Sequence, residues 1–119
     1  MNEVLYNLYA LTKDINHFKT GAYFNHWSWS APLAANQDDL TNMHANTHIP
    51  EITGEAVGYE LTGNETQFNI TINFFNILNS TRTFATGGSN DYEHWGPPFQ
   101  LGDQLNTQTE ESCTQVSGV

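Results

Sequence analysis

Tyr9-Ala10-Leu11-Thr12-Lys13-Asp14, followed by Phe18, returns as Tyr59-Glu60-Leu61-Thr62-Gly63-Asn64, followed by Phe68. The offset is 50 residues throughout. Each copy reads as a helix end, a tight turn and the start of a partner helix. Repeated helical hairpins imply a solenoid or a closed toroid of α-hairpins, in which each unit buries its apolar face against a neighbour. The alternative is a small free-standing helical domain.

Working outward, Asn2 to Asp14 reads as a helix, with Val4, Leu5, Leu8 and Leu11 at helical spacing. Asn16 is a candidate cap for a second helix over Phe18 to Phe24. The aromatic stretch Asn25 to Pro32 breaks regularity, and Leu33 to Asp39 adds one short turn. Leu40 to Pro50 reads as a structured loop leading into a helix that has Pro50 in its first turn. That helix runs to Thr62, with Ile52, Ala56, Tyr59 and Leu61 partly inward, and Gly63 stops it. Asn64 caps the next helix, Glu65 to Asn79, whose apolar stripe is Phe68, Ile72, Phe75 and Leu78. From Thr81 to Leu105 the chain turns to Gly, Pro and polar residues, a loop long enough to be functional in a compact domain.

Composition narrows the partners. Among 119 residues there are 3 Lys+Arg against 13 Asp+Glu, a formal net charge of -10. No basic patch exists for a nucleic acid or an anionic membrane. No apolar run reaches the roughly 18 residues of a membrane span. Charged residues are 13%, against roughly 25% in ordinary soluble domains, so Asn, Thr, Gln and Ser carry the polar surface. The single cysteine, Cys113, excludes an internal disulfide and a self-sufficient multi-cysteine zinc site.

Several groups in the polar loops carry chemistry: His26, His44, His48, Glu93, His94, Glu111 and Cys113. In Glu111-Ser112-Cys113 a carboxylate and a thiol stand two residues apart. On an extended segment both can face one metal; on a helix they diverge by about 200°. Carboxylate with thiolate favours zinc or iron over calcium or magnesium, while a lone cysteine near a terminus is most often a bland, partly buried thiol. Glu93, beside His94 and Trp95, reads either as a general acid held against an aromatic face, where desolvation raises its pKa, or as a solvated loop residue. His44 suits sugar hydroxyls or the orientation of a carboxylate, and equally a hydrogen-bonded structural role. Phe24, Trp27 and Trp29 suit stacking on a sugar or packing at a helix end.

Taken in order, these segments resemble the catalytic domain of glycoside hydrolase family 127, the β-L-arabinofuranosidases, and its plant-like eukaryotic branch more than the bacterial one. The resemblance rests on Met1 to Tyr6, Leu40 to Pro50, Tyr59 to Gly63, Phe84 to Gly88, Glu93-His94-Trp95-Gly96-Pro97-Pro98 and Glu110-Glu111-Ser112-Cys113-Thr114. It implies an all-α fold, with helical hairpins forming part of an (α/α)6 barrel over residues 1–114, a long active-site loop near the C-terminus, and a non-family tail over 115–119. It also implies a zinc-dependent retaining mechanism with a cysteine thiolate as nucleophile. By residue, it assigns Glu93 as general acid/base, Glu111 and Cys113 as Zn2+ ligands, and His44 to the sugar site. The family's nucleophilic cysteine is expected downstream of Val119, so this chain is read as a fragment, inactive alone. It would come from an enzyme acting on β-L-arabinofuranosides of plant-type glycans or glycoproteins. Its partner would be a carbohydrate, and no specific protein partner is predicted. The other readings are a carbohydrate-binding module using Trp27, Trp29 and His44, or a helical interaction module. Asn64-Glu65-Thr66, Asn69-Ile70-Thr71 and Asn79-Ser80-Thr81 fit the glycosylation pattern, and the parent is expected to be secreted.

Overall fold

The computed structural model describes residues 1–109 and 112–114. Among these residues the protein is all-α, with no β-strand. The helices are α1 (Asn2–Thr12), α2 (Ile15–Ala22), α3 (Trp27–Ala34), α4 (Ala45–Thr62) and α5 (Glu65–Thr81), followed by single 3-10 turns at Leu101–Gln104 and Ser112–Thr114. None of these helices is long and apolar enough to cross a membrane. The chain forms two compact units. One is Met1–Gln37 with Pro50–Phe74; the other is Asp38–Ile49 with the described part of Phe75–Val119.

In the first unit the repeat holds bond by bond. Lys13 N–H donates to Tyr9 O at 2.9 Å, and Gly63 N–H to Tyr59 O at 2.7 Å. The Thr12 hydroxyl donates to Leu8 O at 2.7 Å, and the Thr62 hydroxyl to Gly58 O at 2.8 Å. Each threonine Oγ1 then accepts the N–H two residues on, from Asp14 and from Asn64, both at 3.2 Å. Asp14 and Asn64 cap the partner helices, accepting from Asn16 N and Thr66 N, both at 2.9 Å. Across each turn an aromatic pair closes the hairpin: Tyr9 with Phe18 at 5.3 Å and Tyr59 with Phe68 at 5.0 Å between ring centres. Pairs at this separation add about 0.5–1.5 kcal/mol beyond their buried area.

Several boundaries differ from expectation. The cap of α2 is Asp14, not Asn16, because the Asp14 carboxylate stands one residue before the first turn and takes the Asn16 N–H. The stretch expected to be irregular contains α3, with Pro32 inside it. The gain that outweighs the lost N–H is burial of Trp29 and Leu33, with Trp29 edge-on to Phe74 at 6.3 Å. Asn73 further ties α5 to α3 by donating to Leu33 O at 2.8 Å. Helix α4 begins at Ala45, so Pro50 lies inside it and not in its first turn.

The inward faces are also rotated from the expected stripes. On α1 the buried residues are Asn2 and Tyr6, while Val4, Leu8 and Leu11 are exposed. On α5, Gln67, Ile70, Phe74 and Leu78 are buried, and Phe68 and Ile72 are exposed. A polar cluster decides this rotation. Asn2 donates to Asn25 Oδ1 at 3.1 Å and to Glu51 O at 3.3 Å, and Tyr6 donates to Asn25 Oδ1 at 3.2 Å. Gln67 donates to Glu55 Oε2 at 2.9 Å. A Cβ at Gly58 would stand 2.2 Å from Gln67 Nε2, so only glycine on α4 leaves room for that amide.

Candidate active site

The second unit holds the sequence-predicted residues His44, Glu93 and Cys113. Its frame is a short antiparallel pairing. Asn42 N–H donates to Trp95 O at 2.8 Å, Trp95 N–H to Met43 O at 3.0 Å, and Ala45 N–H to Glu93 O at 2.8 Å. The last of these bonds caps the start of α4, which explains why the helix begins five residues before Pro50. The pairing sets His44 opposite His94.

Glu93 is carried on a tight reverse turn. Asp91 N–H donates to His94 O and His94 N–H to Asp91 O, both at 2.9 Å. The central residues Tyr92 and Glu93 have φ of 46° and 62°. Positive φ at both central positions marks a type I′ turn, which normally uses Asn-Gly. Here a tyrosine and a glutamate hold it, each at a cost of about 1–2 kcal/mol. Such strain accumulates where function over-determines geometry. Asn106 braces the turn, donating to Asp91 Oδ1 at 2.6 Å, while Tyr92 N–H donates to Gln108 O at 3.3 Å. Between the turn and this brace lies an open cavity of ≈ 400 Å³, lined by Tyr92, Glu93, Thr107, Gln108 and Thr109.

The Glu93 carboxylate Oε2 stands 3.2 Å from His44 Nε2. The Glu93 side chain is 55% exposed, so of its two sequence readings the setting is that of a solvated loop residue, not of a carboxyl shielded against an aromatic face. Trp95 is fully buried and its Nε1 donates to Ser89 Oγ at 3.2 Å. His44 Nδ1 is buried with no hydrogen-bond partner among the described residues. The proton of a neutral His44 therefore belongs on Nε2, where it donates to Glu93, because an unpaired buried N–H costs more than an unpaired lone pair. Two neighbours have assigned tautomers as well. His48 Nδ1 donates to His44 O and His94 Nδ1 to Tyr92 O, both at 2.7 Å. The His94 ring lies edge-on to His44 with centres 4.9 Å apart. His26, by contrast, lies in the other unit, 3.7 Å from Glu51.

Cys113 is exposed and sits in the Ser112–Thr114 turn. Buried Thr114 anchors that turn: its hydroxyl bonds Asn90 Oδ1, and its carbonyl accepts from Ser89 Oγ at 3.2 Å. Ser89 also receives Trp95 Nε1, so one hydroxyl ties the cysteine turn to the segment that follows Glu93. Glu111 lies outside the described residues. Among the described residues no three His, Cys, Asp or Glu side chains converge on one point.

Arg82, absent from the sequence-predicted set, holds this unit together. It is buried, and Nη1 donates to Asp38 Oδ2 at 2.7 Å, Nε to Gly96 O at 2.8 Å and Nη2 to Thr41 Oγ1 at 3.2 Å. Its signal in the sequence was its singularity: it is the only arginine of the chain.

Seen against known proteins, the chain matches one family over residues 1–119, described as beta-L-arabinofuranosidase, GH127 catalytic domain. No protein of curated function matches it. A match along the whole chain, over a site that pairs a carboxyl with a histidine beside a cavity, places the protein: it belongs to the GH127 β-L-arabinofuranosidase catalytic-domain family of glycoside hydrolases.

Proposed function

We propose that this chain is part of the catalytic domain of a retaining, zinc-dependent glycosidase that acts on β-L-arabinofuranosides of plant-type glycans or glycoproteins. Glu93 is its general acid/base. The observation that carries this reading is the His44 Nε2–Glu93 Oε2 contact at 3.2 Å, at the rim of the cavity that Glu93 lines. When protonated, Glu93 gives its proton to the glycosidic oxygen as the sugar–oxygen bond breaks. As a carboxylate it then takes a proton from the attacking water. The His44 N–H holds the carboxylate in place and stands ready for a sugar hydroxyl. Glu111 and Cys113 are assigned to zinc, to be completed by ligands this chain does not supply. Cys113 is the only cysteine, so no second thiol is available as nucleophile and the chain alone is inactive. The hairpin repeat supports an (α/α)6 arrangement of the parent. Exposed Asn64, at the turn between α4 and α5 and in an Asn-Glu-Thr pattern, supports a secreted parent.

The test is release of 4-nitrophenol from 4-nitrophenyl β-L-arabinofuranoside. The chain alone should release none. Joined to a segment carrying further cysteine ligands and a nucleophilic thiol, it should hydrolyse the substrate, and Glu93→Gln should then lower the rate by about 10²–10⁴-fold. Hydrolysis indifferent to Glu93→Gln would refute the assignment.

A further inference from the structure

The unit formed by Met1–Gln37 and Pro50–Phe74 contains a cavity of ≈ 290 Å³ that takes no part in the chemistry above. Its apolar wall is mainly aromatic, Tyr6, Phe18 and Trp27, with Ala22 and Ile70. Trp27 is 59% exposed, whereas Trp29, grouped with it as a stacking surface in the sequence, is buried and unavailable. The polar wall includes Asn25, Glu55 and Gln67, with Asn64 and Thr66 beside them.

The polar wall is set before any ligand arrives. Asn25 Oδ1 is pinned by Asn2 and Tyr6. Gln67 lies on the bare backbone of Gly58 and donates to Glu55. A glycine inside a helix costs about 1 kcal/mol relative to alanine, and here it makes the space in which the amide sits. Glu55 is 3% exposed and is one of the residues that line the cavity.

We propose that this cavity binds a single neutral sugar ring, with Trp27 as the stacking face and Asn25, Glu55 and Gln67 as partners for the hydroxyls. An aromatic wall facing a few fixed polar groups is the usual build of a small-molecule site. Amides and a carboxyl together donate to and accept from hydroxyls in either sense. No lysine or arginine lines the cavity, so phosphorylated and sulfated ligands lack a counter-charge. Its volume suits one ring.

The full chain is titrated with L-arabinose, D-galactose and D-glucose, read by tryptophan fluorescence and by saturation-transfer NMR. A saturable signal is expected for at least one sugar, with Kd on the order of millimolar. Trp27→Ala and Gln67→Ala should each weaken binding by about tenfold, with circular dichroism unchanged, while Trp27→Phe retains it. His44→Ala and Glu93→Gln should leave it unaltered, which separates this cavity from the His44–Glu93 site. The proposal is overturned by no saturable signal with any of the three sugars. It is equally overturned by binding indifferent to Trp27→Ala and Gln67→Ala, or by uptake of propylammonium in preference to all three.

Discussion

Lys13 and Gly63 occupy the same left-handed position, with φ of 61° and 68°, at the C-terminal ends of α1 and α4. The two turns share their hydrogen bonds and differ in who carries the strain. Lysine in this conformation is disfavoured by about 1 kcal/mol, which glycine escapes. Lys13→Gly should therefore raise stability by up to about 1 kcal/mol, and Gly63→Lys should lower it by a similar amount. Nothing lies within 4 Å of a Cβ placed on Gly63, so the comparison is of backbone strain alone. Urea unfolding of the two variants measures it.

Asp38 faces Arg82, whose side chain has no exposure while that of Asp38 keeps 26%. Removing one partner of a buried pair strands the other charge, typically at 3–5 kcal/mol. Partial exposure of Asp38 puts Asp38→Ala near the low end, about 3 kcal/mol. Asp38→Asn, which can still accept a hydrogen bond, should cost less. Denaturant midpoints at constant m-value would show the order.

Burial drives the Glu55 carboxyl above the usual carboxylate range; the Gln67 hydrogen bond opposes this and the nearby Glu51 charge adds to it. The folded state therefore holds this proton more tightly than the unfolded state. The stability that comes with protonated Glu55 is complete below the ordinary glutamate range. It drains away as pH rises through the elevated folded value. Glu55→Gln should raise Tm at neutral pH and leave it nearly unchanged in acid. A uniform offset at every pH would contradict this.

The turn at Tyr92 and Glu93 supplies a stability–function trade-off. Tyr92→Gly should relieve about 1 kcal/mol of left-handed strain, read as a rise in thermal midpoint. It should also loosen the placement of the Glu93 carboxyl. In the completed enzyme the variant should then be more stable and slower. A more stable variant of unchanged rate would show that the turn does not position the acid.

What was legible in the sequence tracks locality. The two hairpins were readable because their caps, turns and aromatic pairs are set within ten residues. Residue identity misled for α3, where Trp, Ser and Pro look irregular, because the stabilisation comes from Phe74 and Leu33 after folding. On α1 and α5 the apolar letters pointed to Val4, Leu8, Phe68 and Ile72, yet Asn2 and Gln67 face inward, held by partners 23 and 12 residues away. In the site, Glu93 and His44 were nameable from composition and resemblance. Their meeting depends on a ladder between residues 42–45 and 93–95, and nothing in either segment alone announces it. The strained turn and the Asn106 brace were likewise invisible, because neither Tyr92 nor Glu93 is a turn-forming residue by type.

Interior placement of Arg82 also decides the outward electrical character of the protein. With that guanidinium neutralised inside, Lys13 and Lys19 are the only side chains left to present permanent positive charge to water, and both are exposed on the α1–α2 hairpin. Elsewhere the field is that of an uncompensated polyanion. Uronic-acid-rich polymers should be repelled over a distance of about one Debye length, near 10 Å at moderate salt. Neutral arabinose-bearing chains should approach without that barrier, so added electrolyte should ease access for the former and leave the latter unaffected.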